Sequence, residues 1–316
     1  MGKAIAYQHG IYAVDANYVR PHLAAIHLLI ESGRAAIVDS GTSHSLPAVI
    51  DALNDLGLGV EAVDYVLLTH VHLDHAGGAG AMMQAFPSAK LVVHPRGARH
   101  MIDPAKLIAG TQAVYGVEAT TRLYGEILPI DATRVIEAPD GQTVSLAGRE
   151  LLCIDTPGHA RHHIAIVDAQ GGAIFAGDNF GVSYRELDCP DRQFVFPTTT
   201  PVQFEPEAMH VTLDRLLGYS PRAMYLTHFG ELRNPEARAG DLHRQIDAQL
   251  RVALTAQGQG AERHAAICAG IEEVLREELV RYDGPLPLEQ AFALYGNDVE
   301  LNAQGLAVWL DARAQA

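Results

Sequence analysis

Short apolar runs recur along the chain, and several stop at a residue able to hold a metal ion or a proton. Residues 24–30 and 35–38, joined by Glu31-Ser32-Gly33-Arg34, predict a hairpin ending at Asp39. A helix is predicted near 47–56, with Gly57 and Gly59 as stop signals, followed by a strand at 63–68, a helix at 78–86 and a strand at 90–94. Residues 99–124 lack strand character and predict one or two inserted helices. The second half predicts hairpins: 134–137 with 142–146 across Pro139-Asp140-Gly141, then 150–155, 164–167 and 173–176. Beyond His228, residues 235–254 and 261–282 and the stretch to 316 carry helical spacing with charged outer faces.

The densest chemistry follows the strand at 63–68, in Thr69-His70-Val71-His72-Leu73-Asp74-His75-Ala76-Gly77-Gly78. Imidazole and carboxylate side chains suit zinc, iron or manganese, and spacing them on a tight strand-to-helix loop lets them face two metal positions. The glycines are expected to let the backbone turn sharply. Three further strand ends repeat the pattern: Leu151-Leu152-Cys153-Ile154-Asp155-Thr156 leads through Pro157-Gly158 to His159, the run 173–176 through Gly177 to Asp178, and Met224-Tyr225-Leu226-Thr227 to His228. A single His or Asp after a strand is usually a cap or turn residue. Convergence of all of them outweighs that reading. His163, close behind His159, is expected to pack or hydrogen-bond at the start of a strand.

These residues resemble the metallo-β-lactamase superfamily over roughly 23–249: Asp39, then His70, His72, Asp74 and His75, then His159, Asp178 and His228 match its ordered signature. The resemblance implies an α/β fold, the four-layer αββα sandwich, here with additional C-terminal helices. It also implies two divalent metal ions, zinc first with iron or manganese as alternatives. His70, His72 and His159 would hold one, Asp74, His75 and His228 the other, and Asp178 would bridge. Phe196-Pro197-Thr198, Ala105-Lys106-Leu107-Ile108 and Tyr124-Gly125-Glu126-Ile127 are similar to a lactonase- and phosphotriesterase-like subgroup. A catalytic domain is expected over 1–257, with the helical insertion near 99–125, and a helical extension over 258–316 packed on it. That extension is open to three roles: covering the pocket, mediating homodimer contacts or completing the core.

Composition narrows the partners. A formal charge of −15 without a Lys or Arg cluster argues against nucleic acid, whose backbone needs concentrated positive charge. No apolar run approaches a membrane span, and Met1-Gly2-Lys3-Ala4-Ile5-Ala6-Tyr7 lacks the apolar region of a secretory signal, so a cytoplasmic protein acting on a small molecule is expected. Cys153, Cys189 and Cys268 form no disulfide framework or zinc-knuckle spacing.

The expected reaction is hydrolysis of a small neutral ester, lactone, thioester or organophosphate by a hydroxide held between two metals, which lower the pKa of bound water from ~15.7 towards ~7. Asp74 is the candidate for proton transfer, with pure ligation the equal alternative. Asp39 is read as orienting a ligand histidine, with Thr69 and Thr227 as candidates for a similar part. Residues 179–204 form a long connection rich in aromatics, expected to wall the pocket with Phe180, Tyr184, Phe194 and Phe196, with Tyr184 donating its hydroxyl to substrate and Phe229 lining the other side. The ordinary alternative is that these rings anchor the loop to the core. Two other functions compete: a mononuclear iron persulfide dioxygenase-like oxidoreductase, and a sensor or regulator that keeps the metals for binding. A glutathione-type thioesterase would want clustered basic residues near the C-terminus, where Arg276 and Arg281 stand among glutamates.

Overall fold

The computed structural model describes residues 4–315. Met1 to Lys3, part of the N-terminal run above, and Ala316 lie outside them. Two sheets carry the strand ends. The first contains, in spatial and chain order, β1 (Ile5–Ala6), β2 (Ile11–Asp15), β3 (Ala25–Glu31), β4 (Arg34–Val38), β5 (Val63–Leu67), β6 (Lys90–Val93) and β7 (Val135–Glu137). The second contains β8 (Gln142–Leu146), β9 (Arg149–Asp155), β10 (Ile164–Asp168), β11 (Ala173–Gly177), β12 (Ala223–Leu226) and β13 (Gly230–Arg233), also adjacent in chain order.

By contacts the chain divides into two compact units. The first comprises the described residues up to Asp155 with His162–Gly177 and Met224–Glu231; the second comprises Thr156–Arg161, Asp178–Ala223 and the described residues from Leu232. The units interleave in sequence.

In the first unit, β4 to β7 pair in parallel, so helices must carry the chain back between them. They are α1 (Leu46–Asp55), the single turn α2 (Leu73–Ala76), α3 (Ala79–Ala85), and α4 (Pro95–Ile102), α5 (Ala105–Tyr115) and α6 (Val117–Tyr124). Where one or two inserted helices were expected there are three, because Pro104 and the positive-φ Gly116 interrupt the run. Val49 and Leu53 of α1 and Met82 of α3 share one buried cluster with Val66, Leu91 and Val93 of the sheet. At roughly 1.5–3 kcal/mol per fully buried large apolar side chain, such burial fixes the strand ends.

The expected pairing of 134–137 with 142–146 does not form. β7 instead runs parallel to β6, with Val92 opposite Ile136, while β8 pairs with β9. The Pro139-Asp140-Gly141 turn signal is real, but its bonds go to β9: Asp155 N–H donates to Asp140 Oδ1 at 2.9 Å and Gly141 N–H to Cys153 O at 3.0 Å. A turn specifies a reversal and leaves the partner to packing. Cys153 is a buried core residue whose thiol burial pushes up to about 12.

The sheets meet through His27 of β3, whose ring contacts Phe175 of β11 and Tyr225 of β12 edge-on at 5.4 and 5.6 Å. Burial pushes this imidazole down to about 4 despite the pull of Asp39.

The second unit contains α7 (Pro206–Leu217), α8 (Pro235–Thr255), α9 (Gly260–Tyr282), α10 (Leu288–Leu294) and α11 (Gly296–Gln315). The 179–204 connection is bonded to these helices. Asn302 of α11 accepts from Thr199 N–H at 2.8 Å and donates to Pro197 O at 2.8 Å, and Gln245 of α8 donates to Val195 O at 3.0 Å. Gly305 lets α11 approach this closely, since a Cβ there would lie 1.7 Å from Thr199 O. No described helix is long and apolar enough to cross a membrane.

Candidate metal centre

Parallel pairing of β4 with β5 puts Asp39, just past β4, beside Thr69, just past β5. Asp39 N–H donates to Leu67 O at 2.8 Å, and Asp39 takes a left-handed φ of 59°, which Asp tolerates better than most residues. Its buried carboxylate accepts from Thr69 N–H at 2.8 Å, Thr69 Oγ1 at 3.0 Å and Thr227 Oγ1 at 2.7 Å, and faces His75 Nδ1 at 3.2 Å. A carboxylate accepts the His75 Nδ1 proton and leaves the lone pair on Nε2. His228 is set the same way by a carbonyl: its Nδ1 lies 2.7 Å from Leu23 O.

Both Nε2 atoms point at one oxygen. Asp74 Oδ2 lies 3.6 Å from His75 Nε2 and 3.4 Å from His228 Nε2. Ligands ~2.0–2.2 Å from one tetrahedral ion stand about 3.3–3.6 Å apart, so both separations from Asp74 fit a cation's coordination edge. Asp74 is 24 % exposed where the rings are 0 and 9 %, making it the member that reaches solvent. His70 Nε2 and His72 Nδ1 meet at 3.0 Å, a separation bridged by a proton or a cation. His163, buried, stacks on His70 at 5.1 Å, the packing role expected of it.

The glycines after the motif act through space. Gly77 and Gly78 have ordinary helical dihedrals, but a Cβ at Gly78 would lie 2.5 Å from Thr42 O and 2.6 Å from Ser40 O, so only glycine lets α3 start against the Asp39 loop.

The second unit carries His159 and Asp178, with Nε2 and Oδ2 3.6 Å apart. Here hydroxyls flank the ring: Thr198 Oγ1 and Thr200 Oγ1 each lie 3.3 Å from His159 Nδ1. Thr198 Oγ1 also donates to Asp178 O at 2.7 Å, and Asn179 spans the pair, accepting from His159 N–H at 3.0 Å and donating to Thr156 O at 2.6 Å.

A profile of the Metallo-beta-lactamase superfamily matches residues 20–228, two thirds of the chain and every residue of the signature. The chain belongs to this superfamily. It is 26 % identical over 226 residues to the Metallo-beta-lactamase fold-containing protein ST1585 of Sulfurisphaera tokodaii, covering 70 % of this chain and 78 % of that protein. It is 32 % identical over 152 residues to a hydroxyacylglutathione hydrolase of Stenotrophomonas maltophilia, covering 48 % of this chain and 44 % of that enzyme. The structure of the superfamily protein TTHA1429 from Thermus thermophilus superposes with a TM-score of 0.65 at 23 % identity, over 96 % of this chain and 94 % of that one. The expected αββα class with C-terminal helices is therefore the fold of this metallo-β-lactamase superfamily member. Its His and Asp groups suit divalent ions, and at this coarse level it is a metal-dependent hydrolase.

For the expected aromatic pocket wall, burial of the rings favours the anchoring alternative. Phe180, Tyr184, Phe194 and Phe196 are all buried, and the last three pack on Tyr295, with ring centroids 4.8 to 5.6 Å apart. The Tyr184 hydroxyl donates to Asp298 at 2.9 Å and so is committed within the unit. Phe229 is likewise buried, against His22 at 5.1 Å. The rings anchor the connection to α10 and α11 because nonpolar area is worth more buried than lining water. What sequence reasoning missed is the role of Asn179, Thr198 and Thr200 around His159. Asn and Thr in a loop give no period and no spacing to find them by.

Proposed function

We propose that the chain is a dinuclear metal-dependent hydrolase in which His70, His72 and His159 hold one divalent ion, Asp74, His75 and His228 the other, and Asp178 bridges them. The observation that carries this reading is the convergence of two oriented Nε2 atoms on one oxygen of Asp74, with Asp39 fixing His75 from behind. Superfamily membership supports joining this group to His159 and Asp178. Zinc is the first candidate for an all-imidazole and carboxylate set, with iron and manganese compatible.

Bound ions would supply an activated water and polarise a carbonyl or phosphoryl oxygen. The protein's own part is positional. Asp39 and Leu23 O hold the Nδ1 protons, so that His75 and His228 present lone pairs, and Asp74, the exposed member, relays a proton between the centre and solvent.

The substrate is proposed to be a small, neutral ester, lactone, thioester or phosphotriester. The net charge of −15 supports neutrality; the burial of the aromatic rings weakens the argument for an apolar substrate. Likeness to hydroxyacylglutathione hydrolases favours testing thioesters first. Against a glutathione-type anion site, Arg276 pairs with Glu289 at 2.7 Å and Arg281 with Glu278 at 3.6 Å. The test is a panel of matched thioester, lactone, aryl ester and phosphotriester substrates, with the anionic phosphodiester of the same leaving group, on metal-quantified protein. Neutral compounds should lead in kcat/KM, and a preference for the diester would reverse the charge argument.

A further inference from the structure

A second cluster of ligand-type side chains lies on the C-terminal helices. His264 and Cys268 are four residues apart on α9, hence on one face, and Glu300 comes from α11, which packs alongside. His264 Nε2 lies 3.2 Å from Glu300 Oε2, 3.0 Å from Glu300 Oε1 and 3.4 Å from Cys268 Sγ, and Cys268 Sγ lies 3.5 Å from the same Glu300 Oε2. Gln304 Nε2 donates to Glu300 Oε1 at 2.8 Å and holds the carboxylate in this rotamer.

The triangle is closed, and that decides its chemistry. Hydrogen bonding accounts for two sides, with the ring N–H and the thiol S–H both directed at the carboxylate. On the third side the sulfur can accept only weakly from a ring N–H already given to the carboxylate. A cation inside the triangle satisfies all three at once. For a tetrahedral ion ~2.0–2.1 Å from nitrogen and oxygen and ~2.3 Å from sulfur, the edges are about 3.3 Å for N···O and about 3.6 Å for those to sulfur, within a few tenths of an ångström of the separations found.

We propose that His264, Cys268 and Glu300 form a separate binding site for a thiophilic divalent cation, zinc foremost, that clips α9 to α11. Three protein ligands leave a fourth position to water, and both His264 and Glu300 are partly exposed, at 30 and 49 %, so the ion enters from solvent. Binding releases the thiol proton to water and leaves a thiolate on the metal. The hydrolytic ligand set contains no cysteine, so a thiolate signature reports this site alone.

Full-length protein loaded with Co2+ should give a near-ultraviolet thiolate-to-cobalt charge-transfer band whose intensity corresponds to one thiolate-bound cobalt per chain and which disappears on competition with Zn2+. Cys268→Ser should abolish the band and lower bound cobalt by one equivalent while thioester turnover is unchanged. His264→Gln keeps the thiol and should weaken cobalt binding at least tenfold, a check that holds even if the serine variant folds poorly. No charge-transfer band in the wild-type protein, or equal bands and cobalt content in wild type and His264→Gln, would overturn the proposal.

Discussion

In the first unit one buried carboxylate, Asp39, gathers Thr69, Thr227 and His75 and so orients a histidine through charge and a rigid strand end. In the second unit the corresponding ring atom, His159 Nδ1, is flanked by the hydroxyls of Thr198 and Thr200, and the loop bearing them is tied to Asn302 of α11. The contrast teaches where each half is vulnerable. The first half depends on a few residues at the ends of β4, β5 and β12, whereas the second depends on packing some hundred residues further along the chain. It also gives the C-terminal helices a part within their unit: they hold the connection that carries Thr198 and Thr200.

The largest expected effect belongs to the first unit and is read by pH. Burial holds the His27 imidazole down to about 4, while the unfolded chain protonates it near ~6.5. Between these values the unfolded state binds more protons, so stability present above ~6.5 is lost as pH falls towards 4, by about 3 kcal/mol. Urea unfolding of wild type and His27→Phe across that window should give curves that diverge below pH 6.5. Parallel curves would remove the effect.

Asp39→Asn should lower metal retention or turnover by about 10- to 100-fold with every ligand in place, measured by chelator competition and kcat. Unchanged values would make Asp39 an ordinary turn residue. Gly305→Ala forces α11 away from Thr199 O and should cost about 2 kcal/mol of stability and reduce turnover, although it lies far along the chain from His159. If turnover per folded molecule is unaffected, the helices do not reach the centre. Thr198→Val removes a hydroxyl worth about 1 kcal/mol and should slow turnover about fivefold. The smallest effect belongs to Tyr184→Phe: kcat/KM within about twofold and a stability loss of about 1 kcal/mol, since its partner is Asp298. A large kcat/KM loss would restore Tyr184 to the substrate pocket.

The first unit was legible because its signals are periodic and local: apolar runs end at Asp39, His70 and His228, and burial of those runs fixes where the ends stand. Pairing of β7 was illegible, since the Pro139-Asp140-Gly141 turn reports a reversal and not a partner. The part played by the aromatics at 180–196 was illegible because the same composition lines a pocket or fills a core, and their contacts with Tyr295 and Asp298 come from far along the chain. Asn179 and Thr198 matter through tertiary contacts to His159 that leave no pattern in the chain.

The central claim, one dinuclear metal centre bridged by Asp178, is tested most directly by elemental analysis. Measured in a Cys268→Ser background to exclude the α9–α11 site, the protein should hold two divalent ions per chain, and adding Asp178→Ala should deplete both and abolish hydrolysis. A single ion per chain with full activity, or an Asp178→Ala protein that keeps both ions and its turnover, would contradict it.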